Sequence, residues 1–458
     1  MLFERFESSG LAHYSYLIGD GTQVAVIDPR RDVEVYIERA TRAGMRVRYV
    51  LETHRNEDYV TGSRELAATT GAVILRSGED DLRYGYGEPV YDGYTLNLGR
   101  LQLRAMHTPG HTLGHMSYVL HDPDGVPWIV FTGDALFSGD VGRTDFLGKE
   151  RLDEATGLLF DSLFNKILPL GDGVIVCPAH GSGSVCGSAI AERTWTTIGL
   201  ERAHNPKLQV TDKDEFVARV GRMFAYAPYF EMMERLNLEG PPVLGTLPSP
   251  PPLTPHEFAG WLEAGGPAEE VQVLDTRTEL GFGSAHVPGA INIAEDRLPS
   301  FAGWFLTYDR PILLVSETND VRGAVRHLAR LGFDRVEGYL AGGMLAWHMA
   351  GFASERIGTV TVQGLCDRLD SAEEPWILDV RSEGEVESEP IPLAHNIHLT
   401  DLPARMAEVP EDQLIYVFCG SDVRAMMGAS LLQRAGYDNL VVVLGGLRGW
   451  SSVTCPLD

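Results

Sequence analysis

The first 240 residues alternate short apolar runs with stretches whose apolar positions follow helical spacing. The apolar run at residues 24–27 is typical of a buried strand, and residues 32–43 predict a helix that ends at Gly44. Further strands are predicted at residues 47–51, 101–106, 116–120, 128–132 and 174–177. Strands that alternate with helices in this way indicate an α/β domain.

Proline interrupts this pattern at residues 241–252, which read PPVLGTLPSPPP. Because proline fixes φ and has no amide hydrogen, we expect this segment to stay out of any sheet and to act as a semi-rigid spacer. The sequence therefore predicts a domain boundary here, with residues 1–240 forming the first domain.

An internal repeat follows the spacer. The sequence VLDTR at residues 273–277 matches ILDVR at residues 377–381, and a Gly-Gly pair precedes both Trp347 and Trp450 by the same spacing. A repeat length of about 100 residues is too long for a solenoid and indicates two copies of one small domain.

The two predicted copies span residues 253–352 and 357–458. In each copy apolar strands alternate with helices, for example at residues 322–331 and 424–435. This alternation predicts an α/β fold with a mainly parallel sheet for both copies.

The charge of the chain narrows the classes of partner. Its 458 residues include 64 acidic and 38 basic side chains, a formal net charge of −26, which disfavours nucleic acids and anionic membranes as partners. The amino terminus has no continuous apolar core, and no apolar run reaches the length of a membrane span. We therefore expect a cytoplasmic protein without membrane association, with a homo-oligomer as one expectation for its assembly.

The distribution of the cysteines is consistent with a reducing compartment such as the cytoplasm. They show no Cys-x-x-Cys pair and are widely spread, at Cys177, Cys186, Cys366, Cys419 and Cys455. Neither a disulfide framework nor a cysteine zinc site is therefore predicted.

Four residues with metal-binding side chains directly follow predicted strands, at His54, His111, Asp134 and His180. Strand ends hold side chains at one edge of a rigid sheet, where the geometry of a metal site can be maintained. The order and local sequence of these positions resemble the metallo-β-lactamase superfamily over residues 1–240. The resemblance implies an αββα sandwich for the first domain.

The loop at residues 53–59, THRNEDY, departs from the superfamily motif His-x-His-x-Asp-His. Asn56 and Tyr59 stand where the second and third histidines are expected. Asn56 offers only a weak neutral oxygen, and a tyrosine is protonated near neutral pH, so a two-zinc centre is disfavoured. His54, His111 and Asp134 remain as a set of two histidines and one carboxylate, which is typical of non-haem Fe(II) oxygenases.

This surviving set is similar to that of the persulfide dioxygenases within the superfamily. The similarity implies one Fe(II) per chain, bound by the same three residues, with Zn as the alternative metal. Four further residues would orient the ligands or ordered water without binding the metal, namely Asp58, His180, Asn56 and Tyr59. Arg143, in a Gly-Arg-Thr-Asp-Phe element, would bind substrate or form a structural ion pair. Cys186 would react with a persulfide or be an ordinary buried thiol.

The last copy of the repeat contains a second reactive loop. Residues 416–424 read YVFCGSDVR, in which a strand leads through Cys419 to a helix that begins near Arg424. Amide hydrogens at a helix N-terminus are expected to lower the pKa of Cys419 and to make it a nucleophile. With the Leu-Asp-Val-Arg strand and the Gly-Gly-x-x-x-Trp element, the loop resembles the rhodanese active loop. Aligned without gaps, the first copy places Glu317 at the position of Cys419, which predicts an inactive rhodanese-like domain.

The chain as a whole is therefore expected to be an α/β multi-domain protein, a metallo-β-lactamase sandwich followed by two rhodanese-like domains. The resemblance implies a persulfide dioxygenase that converts a low-molecular-weight thiol persulfide and O₂ to sulfite, coupled to a rhodanese that exchanges sulfur with thiosulfate. The carrier thiol is open between glutathione, coenzyme A and others. Two alternatives stay open, a zinc thioester hydrolase of the glyoxalase II type and a persulfide relay or sensor with a degenerate metal site.

Overall fold

The computed structural model describes residues 1–80, 82–264, 271–370 and 374–452. Outside these ranges lie residues 265–270 of the first predicted copy and residues 371–373 and 453–458 of the second, which include Cys455. The chain forms two compact units, one of Met1–Leu247 with Arg326–Gly332 and one of Pro248–Val325 with the chain from Phe333 onward. Within the described ranges, no helix combines the length and the apolar character that a membrane crossing needs.

The first unit contains two mixed sheets. One has the strand order β1-β2-β3-β4-β5-β6 and the other β12-β11-β10-β9-β8-β7. The strands of the first sheet are β1 (Leu2–Ser8), β2 (His13–Asp20), β3 (Gln23–Ile27), β4 (Arg46–Leu51), β5 (Val73–Ser77) and β6 (Glu88–Val90). Those of the second are β7 (Thr95–Leu98), β8 (Leu101–His107), β9 (Met116–His121), β10 (Pro127–Gly133), β11 (Ile175–Pro178) and β12 (Thr196–Thr197).

Helices cover the outer face of each sheet. In the first unit they are α1 (Glu34–Arg42), α2 (Ser63–Thr70), α3 (Leu152–Ser162), α4 (Ile198–His204), α5 (Lys213–Val220) and α6 (Phe230–Glu239). Side chains of α1 and α2 pack on one sheet, and side chains of α3 and α5 pack on the other. A third core lies between the sheets. The predicted αββα sandwich is thus confirmed.

Strand β3 shows why the sequence pattern was informative. Val24 and Val26 point into the core beneath the helices, whereas Ala25 and Ile27 point into the core between the sheets. A strand that is buried on both faces needs apolar side chains at every position, which gives an uninterrupted apolar run.

The second unit contains two parallel sheets with the same topology. Their strand orders are β13-β17-β16-β14-β15 and β18-β22-β21-β19-β20. The first copy consists of β13 (Pro252–Leu253), α7 (Pro255–Ala264), β14 (Gln272–Asp275), α8 (Glu279–Ser284), β15 (Ile291–Asn292), α9 (Leu298–Phe305), β16 (Ile312–Val315), α10 (Arg322–Arg330), β17 (Val336–Leu340) and α11 (Gly343–Met349). The second consists of β18 (Gly358–Thr361), α12 (Val362–Asp370), β19 (Trp376–Asp379), α13 (Glu383–Ser388), β20 (Ala394–Asn396), α14 (Leu402–Arg405), β21 (Ile415–Phe418), α15 (Val423–Arg434), β22 (Leu440–Leu444) and α16 (Gly446–Trp450).

The repeated Leu-Asp-x-Arg sequence has a structural role. Both carboxylate oxygens of Asp379 accept hydrogen bonds from the buried guanidinium of Arg381, at 2.6 to 3.0 Å. Asn396 joins the next strand to this turn, because its side chain donates to the carbonyls of both residues. The same contacts recur in the first copy among Asp275, Arg277 and Asn292. The motif therefore holds the end of a central strand in place, and its presence is not evidence for a catalytic site.

The proline-rich segment does not behave as a free spacer. Leu244 and Gly245 donate their amide hydrogens to the carboxylate of Glu65. Pro252 and Leu253 form β13, which pairs with β17. The expectation that this segment stays out of any sheet is therefore wrong at its end, because an edge strand tolerates a proline whose missing amide faces away from the ladder.

The cysteine expectation needs one correction. Cys177, Cys186 and Cys419 are free thiols, as expected, but Cys366 is disulfide-bonded. Cys366 sits buried on α12, in the core of the last rhodanese-like copy.

Candidate metal centre and sulfur-transfer loop

Three of the sequence-predicted residues meet where strands of the first unit end. His54 follows β4, His111 lies in the turn between β8 and β9, and Asp134 directly follows β10. One donor atom from each side chain lies within 4.8 Å of the other two, and all three residues are buried. His54 Nε2 and His111 Nε2 lie 3.7 and 3.5 Å from Asp134 Oδ2. This donor set fits one metal ion bound from a single side.

Hydrogen bonds fix the imidazole of His54 with Nε2 towards this cluster. Thr53 Oγ1 donates to Asp28 Oδ2 at 2.8 Å, so it accepts the hydrogen bond from His54 Nδ1, also at 2.8 Å. His54 Nε2 is then a bare lone pair, with no hydrogen-bond partner among the described residues. Burial lowers the pKa of His54 well below its ordinary value, which keeps the ring neutral and able to bind a metal.

Replacing Thr53 with valine is expected to weaken metal binding without removing a ligand. The variant loses the hydroxyl group that selects the Nδ1–H tautomer of His54, and the affinity for the metal should fall by about 10 to 100-fold. Competition with a chromophoric chelator measures the effect. Thr53→Ser keeps the hydroxyl group and should bind metal like the wild type, so equal losses in both variants would contradict the role of the hydroxyl group.

The carbonyl oxygen of Arg143 fixes the second histidine. It accepts a hydrogen bond from His111 Nδ1 at 2.8 Å, and His111 Nε2 therefore faces Asp134. Burial pulls the pKa of His111 down, but Glu57 and Asp134 outweigh burial and leave this pKa raised. A metal ion bound at Nε2 takes the place of that proton.

Two further histidines support Asp134. Its carboxylate oxygens lie 2.8 and 3.0 Å from His180 Nδ1, and its amide hydrogen is donated to His115 Nε2. Burial opposes ionisation of Asp134, yet His180, His54 and His111 hold its pKa far below the usual range. The carboxylate of Asp134 is therefore charged and able to bind a cation. His115 was not singled out from the sequence, because a histidine within a strand-forming turn is more often structural.

Glu57 is a second residue that the sequence analysis missed. Its side chain is fully buried, and neither of its carboxylate oxygens has a hydrogen-bond partner in the described part of the chain. Glu57 Oε2 lies 3.7 Å from His111 Nε2. Burial raises the pKa of Glu57. Arg55 Nη2 lies 3.9 Å from Glu57 Oε1, but a buried carboxylate that accepts no hydrogen bond is costly, so a cation at the cluster would further stabilise its charged form.

Asn56 and Tyr59 lie beside the cluster rather than within it. The Asn56 amide contacts the carbonyl oxygen of His54 at 3.4 Å, and the Tyr59 ring packs against His13 at a tilt of 34°, with centroids 3.9 Å apart. Asn237 of α6 anchors this loop, because its side chain donates to the carbonyls of Asn56 and Tyr59. Asn237 lies far away in sequence, and no local motif marks it.

Asp58 and His180 come together with a third residue, Cys186. Donor atoms of these three buried side chains lie within 4.8 Å of one another, and His180 Nε2 lies 3.0 Å from Asp58 Oδ2. Burial, Asp58 and Asp134 raise the pKa of Cys186 well above its ordinary value. The sequence placed Asp58 and His180 near the metal, and the structure adds Cys186 to the same cluster.

Arg143 forms the structural ion pair that was one of its two expected roles. Its guanidinium donates to both carboxylate oxygens of Asp145, at 2.7 and 2.8 Å. The aromatic rings of Phe146 and Phe224 lie 4.6 and 5.0 Å from the guanidinium carbon. Its contribution to the metal centre runs through the backbone carbonyl that holds His111. A role in substrate binding stays a prediction.

Cys419 occupies the loop between β21 and α15 in the second unit. Its sulfur accepts a hydrogen bond from the amide of Ala425 at 3.3 Å, as expected for a side chain at a helix N-terminus. The expected lowering of the Cys419 pKa is wrong, however. Burial raises this pKa and outweighs the opposing contributions of the Ser421 and Ala425 amides and of Arg424.

Arg424 is held by a partner that the sequence did not indicate. Glu385 of α13 accepts two hydrogen bonds from its guanidinium, at 2.7 and 2.6 Å, and the pair lowers the pKa of Glu385 to about 2. The charge of Arg424 is thus fixed next to the loop of Cys419. Glu385 also caps α13 through Ser382.

The Gly-Gly pair before Trp450 allows the chain to approach this loop closely. Gly446 has a φ of +48°, and a Cβ atom there would lie 2.3 Å from the carbonyl oxygen of Cys419. Gly446→Ala is therefore expected to distort the loop and to lose most sulfur transfer, with backbone strain of about 1–2 kcal/mol as a minimum. A sulfurtransferase assay checks this. Gly343→Ala in the first copy, whose Cβ would lie 3.3 Å from its nearest neighbour, is the control and should retain activity.

The first copy has a serine at the position of the reactive cysteine. Asp275 pairs with Val315, as Asp379 pairs with Phe418, so Ser316 is equivalent to Cys419. The expectation that Glu317 is equivalent to Cys419 is therefore wrong. The segment from Ser316 to Arg322 is one residue longer than the segment from Cys419 to Arg424, and an alignment without gaps cannot show this. Glu317 is exposed.

Comparison with known proteins gives matches on both sides of the proline-rich segment. The chain matches the family model of the Metallo-beta-lactamase superfamily at residues 9–180 and that of the Rhodanese-like domain at residues 254–350 and 361–453. It is 32% identical over 214 residues to the hydroxyacylglutathione hydrolase GloC of Haemophilus influenzae, covering 42% of this chain and 91% of that protein. It is 30% identical over 251 residues to the mitochondrial persulfide dioxygenase ETHE1 of Bos taurus, covering 53% of this chain and 83% of that protein.

One solved structure is similar to a larger part of the chain. A metallo-beta-lactamase from Staphylococcus aureus subsp. aureus COL matches with a TM-score of 0.66 and 28% identity, over 74% of this chain and 99% of that chain. A buried histidine–aspartate centre at the strand ends of an αββα sandwich defines a metal-binding domain of this fold. The chain belongs to the metallo-beta-lactamase superfamily, and two rhodanese-like domains follow that domain.

Proposed function

We propose that the first unit is a non-haem iron persulfide dioxygenase and that Cys419 makes the last domain a sulfurtransferase. The observation that carries the proposal is the donor set of His54, His111 and Asp134, with both Nε2 atoms bare and one carboxylate oxygen between them. Such a set leaves adjacent positions open on the metal. The similarity to persulfide dioxygenases over half of the chain supports the same assignment.

The overall reaction balances as RSSH + O₂ + H₂O → RSH + SO₃²⁻ + 2 H⁺. Bound Fe(II) would supply one-electron chemistry that brings O₂ and the terminal sulfur together. The chain's own groups hold the ligands in place, exclude water by burial and place the carboxylate of Glu57 3.7 Å from His111 Nε2. We propose that Glu57 accepts a proton released as the persulfide binds.

The sulfurtransferase step uses the second unit alone. The thiolate of Cys419 attacks the outer sulfur of thiosulfate, the S–S bond breaks with its electron pair going to sulfite, and a cysteine persulfide forms. In ionic form, Cys419–S⁻ + S₂O₃²⁻ → Cys419–S–S⁻ + SO₃²⁻. The amide of Ala425 and the cation of Arg424 face the charge that the sulfur carries. Since the same sulfite is a product of the oxygenase, the reverse direction would consume it and release thiosulfate.

A zinc thioester hydrolase is the second candidate, because the chain is also similar to a hydroxyacylglutathione hydrolase. The decisive experiment expresses the full chain with iron and zinc both available, then measures bound metal and oxygen uptake with glutathione persulfide and coenzyme A persulfide. The proposal predicts one iron per chain at the predicted site and persulfide-dependent oxygen uptake. Zinc at that site, with thioester hydrolysis and no oxygen uptake, would establish the hydrolase instead.

A further inference from the structure

A line of polar side chains leads away from the candidate metal centre, and the proposed reaction uses only its first member. Glu57 Oε2 lies 3.7 Å from His111 Nε2, and Glu57 Oε1 lies 3.9 Å from Arg55 Nη2. Arg55 Nη2 lies 3.0 Å from Glu234 Oε2. Tyr226 donates its phenolic hydrogen to Glu234 Oε1 at 2.9 Å. These contacts form a continuous polar line from Glu57 to Tyr226.

Exposure to solvent increases along the polar line. Glu57 is fully buried, the side chains of Arg55 and Glu234 are 16% and 23% exposed, and Tyr226 is 50% exposed. Arg55 Nε and both carboxylate oxygens of Glu57 have no hydrogen-bond partner among the described residues. A molecule that follows this line from the surface to the metal centre therefore meets buried charged groups that can still form hydrogen bonds.

Aromatic rings connect the same two ends. The ring of His111 packs edge-on against Phe146, with centroids 5.1 Å apart, and the ring of Phe146 lies 6.0 Å from that of Phe230. The ring of Phe230 in turn lies 5.3 Å from that of Tyr226. The region between His111 and Tyr226 is thus bordered both by the polar line and by an aromatic line.

We propose that this region binds the carrier part of the persulfide and selects the persulfide of a free α-amino acid, namely that of free cysteine. The inference rests on the proposed dioxygenase function. The carboxylate of the substrate pairs with Arg55, and its ammonium group pairs with Glu234. Each partner of the Arg55–Glu234 pair then keeps an opposite charge, so opening the pair leaves no buried charge uncompensated. The apolar methylene and sulfur atoms of the substrate contact the aromatic line.

The distance between the metal centre and Arg55 suits a short carrier. The carboxylate of Glu57 spans the gap between His111 Nε2 and Arg55 Nη2, with contacts of 3.7 and 3.9 Å. In cysteine the amino and carboxylate groups are attached to the carbon next to the sulfur-bearing one. Both groups can therefore reach the polar line while the sulfur lies at the metal centre.

The charges of this region disfavour anionic carriers. Glu57 and Glu234 outnumber Arg55 along the polar line, and the nearby guanidinium of Arg143 is neutralised by Asp145. A cysteine carrier adds no net charge, because its ammonium and carboxylate groups compensate each other. Glutathione and coenzyme A carry net negative charge, which the two carboxylates repel in a partly buried region.

A series of matched persulfides tests this selection. Oxygen uptake by the full chain loaded with iron is measured with the persulfides of cysteine, of cysteamine, which lacks the carboxylate, and of 3-mercaptopropionate, which lacks the ammonium group. We expect kcat/KM for cysteine persulfide to exceed both of the others by at least about 10-fold. It should also exceed kcat/KM for glutathione persulfide and coenzyme A persulfide.

Two variants assign the two contacts separately. Arg55→Gln should lower the ratio of kcat/KM for cysteine persulfide over cysteamine persulfide by about 10-fold, because it removes the cation that meets the carboxylate. Glu234→Gln should lower the ratio for cysteine persulfide over 3-mercaptopropionate persulfide by about as much. A partial loss of iron or of folded protein does not change these ratios, since both substrates are measured on one preparation. Arg219→Gln, which removes the exposed ion pair with Glu215 on α5, is the matched control and should keep both ratios.

Binding of cysteine, the thiol that the reaction would release, separates this inference from the dioxygenase assignment. Anaerobic calorimetry should show cysteine bound to the wild type and binding weakened at least about 10-fold in Arg55→Gln and in Glu234→Gln. Oxygen uptake with equal kcat/KM for all carriers, with a preference for glutathione or coenzyme A persulfide, or with unchanged ratios in both variants overturns only the carrier selection. If no persulfide supports oxygen uptake, the dioxygenase assignment fails. In that case cysteine binding that depends on Arg55 and Glu234 still supports the site, and binding that neither substitution alters overturns it.

Discussion

Asp134→Ala is expected to abolish persulfide-dependent oxygen uptake. Asp134 supplies the carboxylate oxygen that lies 3.5 Å from His111 Nε2 and 3.7 Å from His54 Nε2. Removing residues that merely support a metal ligand costs about 10 to 100-fold in affinity, so the loss of a ligand should exceed about 100-fold. Bound iron and oxygen uptake, measured on the same preparation, check the effect.

The second unit provides an internal control for this variant. Cys419 and its loop belong to a separate compact unit, so thiosulfate-dependent sulfur transfer should remain at the wild-type level. A preparation that loses both activities has misfolded and is replaced by Asp134→Asn, which keeps the size of the side chain. If Asp134→Ala is folded, lacks iron and loses no activity at all, the protein is a persulfide relay and the metal centre is not catalytic.

Cys419→Ser is expected to abolish sulfur transfer and to leave oxygen uptake intact. In the proposed reaction the sulfur of Cys419 carries the transferred sulfur, and a serine hydroxyl cannot hold a sulfane sulfur. Loss of a catalytic nucleophile should lower the rate by at least about 10³-fold. A thiosulfate–cyanide assay measures the transfer, and an oxygen electrode measures the first reaction with added thiol persulfide.

Ser316→Ala is the matched control, since Ser316 occupies the same strand end in the first copy. It should leave both activities unchanged, because that copy has no thiol at this position. If Cys419→Ser also stops oxygen uptake from added persulfide, the two sites do not work independently and the two-site assignment is wrong. The assignment of the first copy as inactive fails if Ser316→Ala lowers sulfur transfer.

Much of the fold could be predicted because its strands are buried on both faces. Strands such as β3 and β10 contact two cores, and their apolar runs therefore mark them without reference to tertiary structure. The predicted ends differ from the observed ends by only one or two residues, as in β4 (Arg46–Leu51) and β11 (Ile175–Pro178). The duplication was equally visible, because Asp379 and Arg381 must keep their spacing to pair with each other.

The residues of the candidate metal centre could be predicted for a related reason. His54, Asp134 and His180 each follow a strand within a few residues, and strand ends of one sheet edge meet in space. Glu57 and Cys186 could not be found in this way. Glu57 lies in the same loop as His54, but only the fold shows that its side chain is buried beside His111. Cys186 lies in irregular chain, where no periodicity predicts the direction of a side chain.

The sequence by itself determined the class of fold and the duplication, and it predicted the three candidate metal ligands and the candidate nucleophile Cys419, because each depends on local pattern and on the spacing of motifs. Tertiary structure alone decided which of the remaining polar groups face the metal and which face each other. It showed that Arg143 pairs with Asp145 and that Cys186 lies beside Asp58 and His180. It also showed that Ser316, and not Glu317, occupies in the first copy the position that Cys419 has in the second. The physical reason is that contacts between side chains distant in sequence depend on loop length and direction, which hydrophobic periodicity does not encode.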